Sequence, residues 1–273
     1  MLDAVRWLTR PWLAGLSAVG QRAIAALEEI GYVFGLFVES VYWAVVGRWQ
    51  QQPVRLAPIF SAAMAVGVTA IPIIALASFA VGAMLAIQGI YSLRAFGADS
   101  KVVLAIAIAV TREFAPLITG IFVAGRSASA IAAQIGTMQV AQEIDALAVI
   151  GVNPVRYLVS PLLIAMLVTM PALTVFSNFV ALAGGAFYCN LELGLPYSAY
   201  VEGTIDALKV SDVLQGLSKS FIFAVIITLV GASNGFTVKA GAEGVGKATT
   251  RSVVLSIAAI ILADMVFSYF QSR

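Results

Sequence analysis

Histidine is absent from this 273-residue sequence, and cysteine occurs only once, at Cys189. A chain without histidine lacks the commonest metal ligand, the usual general base and the Ser-His-Asp triad. A single cysteine excludes an intrachain disulfide. These absences remove most enzyme mechanisms, so we expect a protein that is not an enzyme.

Charge is also scarce. Charged residues make up 11% of the chain and hydrophobic residues 61%, whereas a soluble domain has about 25% charged residues. The net charge is only +2, and the scattered basic residues form no nucleic-acid module. A chain this apolar cannot cover a surface that faces water, so lipid must cover much of it.

Five apolar segments can cross a bilayer, because about 20 apolar residues in a helix span the hydrocarbon. In chain order they run from about Pro58 to Ile90, Val102 to Ala124, Val155 to Tyr188, Val213 to Gly235 and Val253 to Phe270. The first and third are longer than one straight crossing requires. Pro72 and Pro171 lie inside these two segments and are candidate kink points.

The N-terminal region, residues 1–55, is apolar but interrupted by charges. The stretch from Ile30 to Gly47 could be a sixth span with Glu39 buried, or the region could lie on the membrane as an amphipathic helix. Flanking tryptophans favour the surface position. The predicted fold is therefore an all-α polytopic membrane protein, with an N-terminal interfacial helix in residues 1–55 and a five-span domain in residues 56–273.

Basic residues predict the orientation, because cytoplasmic loops carry an excess of lysine and arginine. The N-terminal region and the loop between the fourth and fifth spans are basic, whereas the loop between the third and fourth is acidic. We therefore expect a cytoplasmic N-terminus and an acidic loop outside. The segment from Gly125 to Pro154 would also face the cytoplasm.

Charged side chains within spans are costly and mark functional sites by default. Arg112 and Glu113 interrupt the second span and point about 100° apart on a helix. For this pair, structural and substrate roles both remain open. Lys219, a lone cation toward the outer side of the fourth span, favours an anionic head group. Asp264, in the fifth span, favours a structural ion pair.

The segment from Gly241 to Ala248 nearly matches the phosphate-binding pattern G-x-x-x-x-G-K-[ST]. Ala248 replaces the hydroxyl residue that would bind magnesium, and no strand precedes the segment. We therefore expect a glycine-rich loop, and no cofactor bound by this chain.

A short amphipathic segment runs from Gln134 to Pro154. Its apolar stripe has the spacing of a helix face and consists of Val140, Ile144 and Leu147, while its polar positions are Gln142, Glu143 and Asp145. A helix here, between two spans, could be a lever for another subunit or an interfacial connector. The residue pattern alone leaves both roles open.

The run from Thr111 to Pro161 resembles the permease subunits of the MlaE/YrbE family, which belong to ABC transporters that work with MCE-domain proteins on lipids. The family pattern is matched at Arg112, Glu113, Pro116, Gly125, Arg126, Gly136, Met138, Glu143, Ile144, Asp145, Leu147, Pro154, Arg156 and Pro161. Asn234 to Phe236 and Ala248 to Val254 also resemble the family. The resemblance covers about residues 50–270.

The resemblance implies a homodimer in the bacterial inner membrane, with two cytosolic ABC ATPases that bind ATP and magnesium and a periplasmic MCE-domain protein. It implies a coupling helix at about residues 138–150, where Gln142, Glu143, Ile144, Asp145 and Leu147 would contact the ATPases. It also implies a lipid cavity near Arg112, Glu113 and Lys219.

The expected function is thus that of a permease subunit that moves phospholipid, or a related lipid, between the inner membrane and periplasmic MCE proteins. Two alternatives compete with it. One is a secondary transporter driven by an ion gradient, with Arg112, Glu113 and Asp264 as a relay. The other is a membrane-embedded lipid enzyme, which the lack of histidine disfavours.

Overall fold

A computed structural model describes residues 2–47, 56–98, 101–239 and 241–271; side chains are described for all of these except residues 2–19, 22 and 26. Within these ranges the chain is helical and contains no β-strand. The helices are α1 (Leu2–Val46), α2 (Leu56–Arg94), α3 (Val102–Ala109), α4 (Ala115–Val123), α5 (Ser129–Val140), α6 (Glu143–Val149), α7 (Ser160–Leu193), α8 (Tyr197–Ala207), α9 (Val210–Phe236) and α10 (Gly241–Gln271). Three π-helical segments connect some of them: Val110–Phe114, Ala124–Ala128 and Val155–Val159.

Five helical units in the described ranges are long and apolar enough to cross a membrane. They are α2, the continuous unit Val102–Val140, the unit Val155–Leu193, α9 and α10. This confirms the predicted all-α, five-span fold. Pro72 and Pro171 lie inside the uninterrupted helices α2 and α7.

The structure corrects two predictions about helix ends. The segment from Gly241 to Ala248 is not a loop, because α10 begins at Gly241. We expected the second span to end near Ala124, but its helix continues to Val140. Glycines of α9 allow the continued helix to pack closely, since Gly231 lies beside Ala128 and Ile131, and Gly235 lies beside Ile135. A methyl group on Gly235 would come within 2.7 Å of the Ile135 Cβ, so α9 packs directly against the residues that follow Ala124.

The helix α1 is not one of the five units. Its described side chains meet one end of the bundle: Glu29 pairs with Arg251 at 2.7 Å, and Glu39 accepts a hydrogen bond from Asn153 at 2.7 Å. We call this end, which also bears α6, the α6 end, and the opposite end the α8 end. These contacts agree with a helix along the bundle end. The predicted domain boundary at residues 55 and 56 lies at the edge of the segment 48–55, which is outside the described residues.

The longest helix pair is α2 with α7, and backbone contact joins it. A methyl group on Gly82 would lie 1.8 Å from the Ala181 carbonyl oxygen, and one on Gly184 would lie 2.2 Å from the Phe79 carbonyl oxygen. Small residues allow membrane helices to approach this closely. The central core between α2, α7 and α9 is apolar and includes Ile74, Met170, Phe223 and Ile227.

Candidate functional site

A charged cluster forms where the π-helical segment Val110–Phe114 meets α9 and α10. The Lys219 ammonium, on α9, contacts the Glu113 carboxylate and lies 3.0 Å from Oδ1 of Asp264 on α10. It also donates a hydrogen bond of 2.8 Å to Ser268 Oγ, which in turn donates to Glu113 Oε1 at 3.1 Å. One cation on α9 therefore joins a carboxylate of the π-helical segment to a carboxylate and a hydroxyl of α10.

A second ion pair lies beside this cluster, toward the α8 end. The Arg112 guanidinium donates from Nε and Nη2 to Oδ1 of Asp212, at 2.9 and 2.5 Å. The other carboxylate oxygen of Asp212 accepts a bond of 2.9 Å from the Lys209 backbone N–H, which caps the start of α9. Asp212 thus fixes both the first turn of α9 and the orientation of Arg112.

Burial divides these groups into two sets. The side chains of Lys219 and Asp212 are 0% and 2% exposed, whereas those of Arg112 and Glu113 are 40% and 41% exposed. The expectation that Lys219 is a lone cation is therefore wrong, because Glu113, Asp264 and Ser268 surround it. Asp264 is in an ion pair, as expected for a structural role, and its partner is Lys219.

The depth of the cluster explains why its charges are paired. Phe223 is the middle residue of α9, and Lys219 precedes it by four residues, or roughly 6 Å along the axis. Lys219 is therefore inside the hydrocarbon layer, where an unpaired charge is costly. The buried groups hold the site together, and the half-exposed Arg112 and Glu113 are the groups that an outside ligand can reach.

The π-helical geometry brings Arg112 and Glu113 to this place. The segment Val110–Phe114 interrupts the α-helical ladder between α3 and α4, and single-turn π segments are frequent at functional sites. Gly216 allows α9 to approach this turn, because a methyl group there would come within 2.3 Å of the Thr111 carbonyl oxygen. The residues that the sequence singled out, Arg112, Glu113 and Lys219, are thus brought together.

Sequence reasoning missed Asp212 and Ser268. Asp212 lies in the acidic stretch between the third and fourth predicted spans, and its position three residues after Lys209 is that of an acidic residue in a helix capping box. Ser268 carries no signal of its own in the sequence, because a serine in a span usually bonds its own helix backbone. Among the described residues, no group of three side chains could hold a metal ion.

The predicted coupling segment at about residues 138–150 is divided between two helices, because α5 ends at Val140 and the short helix α6 occupies Glu143–Val149. Val140 therefore does not continue the apolar face of Ile144 and Leu147. Gln142 precedes α6 with a left-handed φ of 57°, and Gly151 follows it with a φ of 79°, so turns set α6 apart at both ends. Ile144 is buried in the bundle and Leu147 is half-buried, whereas Gln142, Glu143 and Asp145 are exposed. The helix is thus anchored by one side and presents its polar side at the α6 end.

These features define an all-α polytopic membrane protein with a charged cluster inside the bilayer and an exposed short helix at one end. The family model for Permease MlaE matches residues 59–270, and the chain belongs to this family.

Several relatives are similar over much of the chain. A probable ABC transporter permease protein of Rickettsia felis is 34% identical over 91% of this chain and 94% of its own length. A probable ABC transporter permease protein of Synechocystis is 36% identical over 69% of this chain and 72% of its own. The chloroplastic protein TRIGALACTOSYLDIACYLGLYCEROL 1 of Arabidopsis thaliana is 37% identical over 71% of this chain and 56% of its own. This chain is accordingly a multi-pass ABC transporter permease.

Proposed function

We propose that this chain is the permease subunit of an ABC transporter that moves phospholipid, or a related lipid, between the bacterial inner membrane and periplasmic MCE-domain proteins. The observation that carries the lipid assignment is the pair Arg112 and Glu113, half-exposed within the hydrocarbon layer and supported by buried charges. A permease for a purely apolar cargo has no use for such costly groups. A permease for a cargo with a phosphate or another polar head can use these groups to bind that head.

Arg112 makes the first contact with the lipid head group. Its Nε and Nη2 bond Asp212, which leaves Nη1 available, and arginine suits phosphate because it offers several donors in one plane. Lys219 is enclosed by Glu113, Asp264 and Ser268. It reaches a phosphate only after α10, which carries Asp264 and Ser268, moves away from α9. The cluster therefore couples head-group binding to the position of α10.

We assign a different partner to each end of the bundle. The α6 end is cytoplasmic, as is the N-terminus, and the exposed Gln142, Glu143 and Asp145 on α6 contact two cytosolic ATPases that bind ATP and magnesium. Ile144 and Leu147 transmit the motion, because they join α6 to the bundle. The α8 end faces the periplasm and the MCE-domain protein. This chain itself binds no cofactor.

A second copy of the chain covers α10. Much of this helix is exposed, including Val254, Leu262 and Met265, and a homodimer would place two clusters around one lipid cavity. The name of the Arabidopsis relative is that of a diacylglycerol lipid, and this supports a glycerolipid cargo. The ABC permease relatives favour ATP over an ion gradient as the energy source.

The test removes the accessible cation without leaving a buried carboxylate unpaired. In the variant Arg112→Gln with Asp212→Asn, a neutral hydrogen-bonded pair replaces the ion pair. We expect the complex to assemble with its ATPase, and lipid transfer and lipid-stimulated ATP hydrolysis to fall about tenfold, as for a lost charge-assisted contact.

The matched control neutralises another ion pair in the same way, Arg94→Gln with Glu192→Gln. That pair lies at the α8 end, with a 3.3 Å contact and both side chains about half exposed. This control variant should keep both lipid transfer and lipid-stimulated ATP hydrolysis. Unchanged lipid transfer in the Arg112 and Asp212 variant, or purification of the chain without any ATPase, would contradict the proposal.

A further inference from the structure

A groove near the α6 end lies apart from the charged cluster. Its volume is about 330 Å³, and α2, the Val102–Val140 unit and the start of the third span line it. Its walls are mostly apolar, with a few polar groups; they include Val66, Ile131, Leu162, Arg126, Gln134 and Tyr157. This mixture suits an amphiphile better than a purely polar or a purely apolar ligand.

Arg126 is the charged residue of this groove, and it has no anionic partner among the residues that the structure describes. Its Nη1 donates a 2.8 Å hydrogen bond to the Ala65 carbonyl oxygen and contacts the Thr69 hydroxyl. Within the described part of the chain, no carboxylate lies within 4 Å of it, and Nε and Nη2 make no hydrogen bond. Arg126 thus differs from Arg112 and Lys219, which are both neutralised by carboxylates.

The depth of Arg126 indicates what can neutralise it. Gly120 lies against Phe223, the middle residue of α9. Arg126 follows Gly120 by six residues, which is roughly 9 Å along the helix, and the hydrocarbon ends about 15 Å from the midplane. A long arginine side chain can extend over the remaining distance to the head-group layer. The anion found at that depth in a bilayer is a lipid phosphate.

We propose that this groove binds one phospholipid from the leaflet at the α6 end, with its phosphate on Arg126 and part of an acyl chain against the apolar wall. The π-helical segment Ala124–Ala128 carries Arg126 and sets its direction toward α2. The site is roughly 20 Å along the helix from Arg112, so it is separate from the charged cluster. The proposal concerns binding and does not depend on transport.

Site-specific crosslinking in nanodiscs tests this site. The full chain carries a photoreactive benzophenone amino acid at Ala62, which lines the groove, or at Ala172, an exposed alanine of α7 outside it. The discs contain phosphatidylcholine, phosphatidylglycerol and dioleoylglycerol, and mass spectrometry counts each adduct per mole of lipid present. At position 62 we expect the two phospholipids to exceed dioleoylglycerol about tenfold, and at position 172 we expect no preference.

Three substitutions separate the contribution of the head group from that of the apolar groove. Arg126→Gln should abolish the preference for phospholipid at position 62, whereas Arg126→Lys should keep most of it. Ala130→Phe fills the groove and should lower the adducts of all three lipids at position 62.

Several outcomes would overturn the proposal. One is equal labelling of phospholipid and dioleoylglycerol in the unsubstituted chain, a result that needs no variant to fold. Another is an unchanged preference in Arg126→Gln. A lower yield of lipid adducts when free inorganic phosphate is present during irradiation would assign the site to a soluble anion, and crosslinking of position 62 to a second chain would assign it to an interface.

Discussion

The α2–α7 pair and the α9–α10 pair are joined by different kinds of contact. Gly82 and Gly184 bring the backbones of α2 and α7 together along a long apolar seam. The α9–α10 pair instead combines an apolar contact, with Ile260 of α10 in the same core cluster as Phe223 of α9, with the polar contacts of Lys219 to Asp264 and Ser268. In the most apolar 18-residue stretch of α10, only 11% of the residues are buried, whereas 56% are buried in the most apolar stretch of the Val155–Leu193 unit.

This difference has a physical reason. Lipid tails are as apolar as leucine, so membrane helices associate through close packing and polar contacts rather than through hydrophobic exclusion. Backbone packing cannot be exchanged for another contact, whereas a charged contact can be exchanged for a ligand of the same charge. We infer that α2 and α7 form the fixed part of the permease, and that α10 is the helix whose position a lipid phosphate can change.

The largest expected effect comes from a side chain forced into the backbone seam. Gly184→Leu places its Cβ against the Phe79 carbonyl, so the helices must separate. We expect the free energy of unfolding to fall by more than about 4 kcal/mol, the range of severe substitutions. The variant should then aggregate in size-exclusion chromatography. The control is Gly67→Ala, where the added methyl group meets Thr169 at an ordinary 3.6 Å and the protein should remain monodisperse. Normal folding of Gly184→Leu would refute the rigid seam.

A smaller loss is expected when the ionic contact of α9 and α10 is broken from one side. Lys219→Met leaves the Glu113 and Asp264 carboxylates without their cation, which should cost about 3 kcal/mol and lower the Tm. Adding Glu113→Gln and Asp264→Asn removes the uncompensated charges and should restore most of the Tm. A single variant as stable as the unsubstituted chain would mean that the cluster does not hold α10.

The smallest effect belongs to a buried polar contact within the α2–α7 seam. The hydroxyls of Ser78 and Ser177 lie 2.8 Å apart and are both buried. Ser78→Ala should cost only about 0.6 kcal/mol, the average of hydrogen bonds between membrane helices, because the glycine contacts persist. A thermal shift as large as that of Lys219→Met would instead show that polar contacts dominate in both pairs.

Sequence reasoning found the spans and singled out Arg112, Glu113, Lys219 and Asp264, but it missed Asp212 and Ser268 and did not reveal how these groups pair. Composition and segment length were sufficient for five spans, since the bilayer imposes a length and an apolar surface. The end of the second span was misplaced because Ala124 to Ala133 is less apolar than the preceding residues but continues as helix. The coupling segment at about residues 138–150 contains the end of α5 and the helix α6, and its contact with an ATPase stays a prediction.

Pairing across the bundle depends on how each helix is rotated about its axis, which one sequence does not reveal. Arg112 and Asp212 are separated by 100 residues, and Lys219 and Ser268 by 49. The sequence by itself determined that this chain lies in a bilayer and that Arg112, Glu113 and Lys219 are exceptional there, because charge in hydrocarbon is costly wherever it occurs. Only the tertiary structure decided that Lys219 is enclosed, that Arg112 and Glu113 remain accessible and that Arg126 has no counterion among the described residues, because these properties come from the contacts between helices.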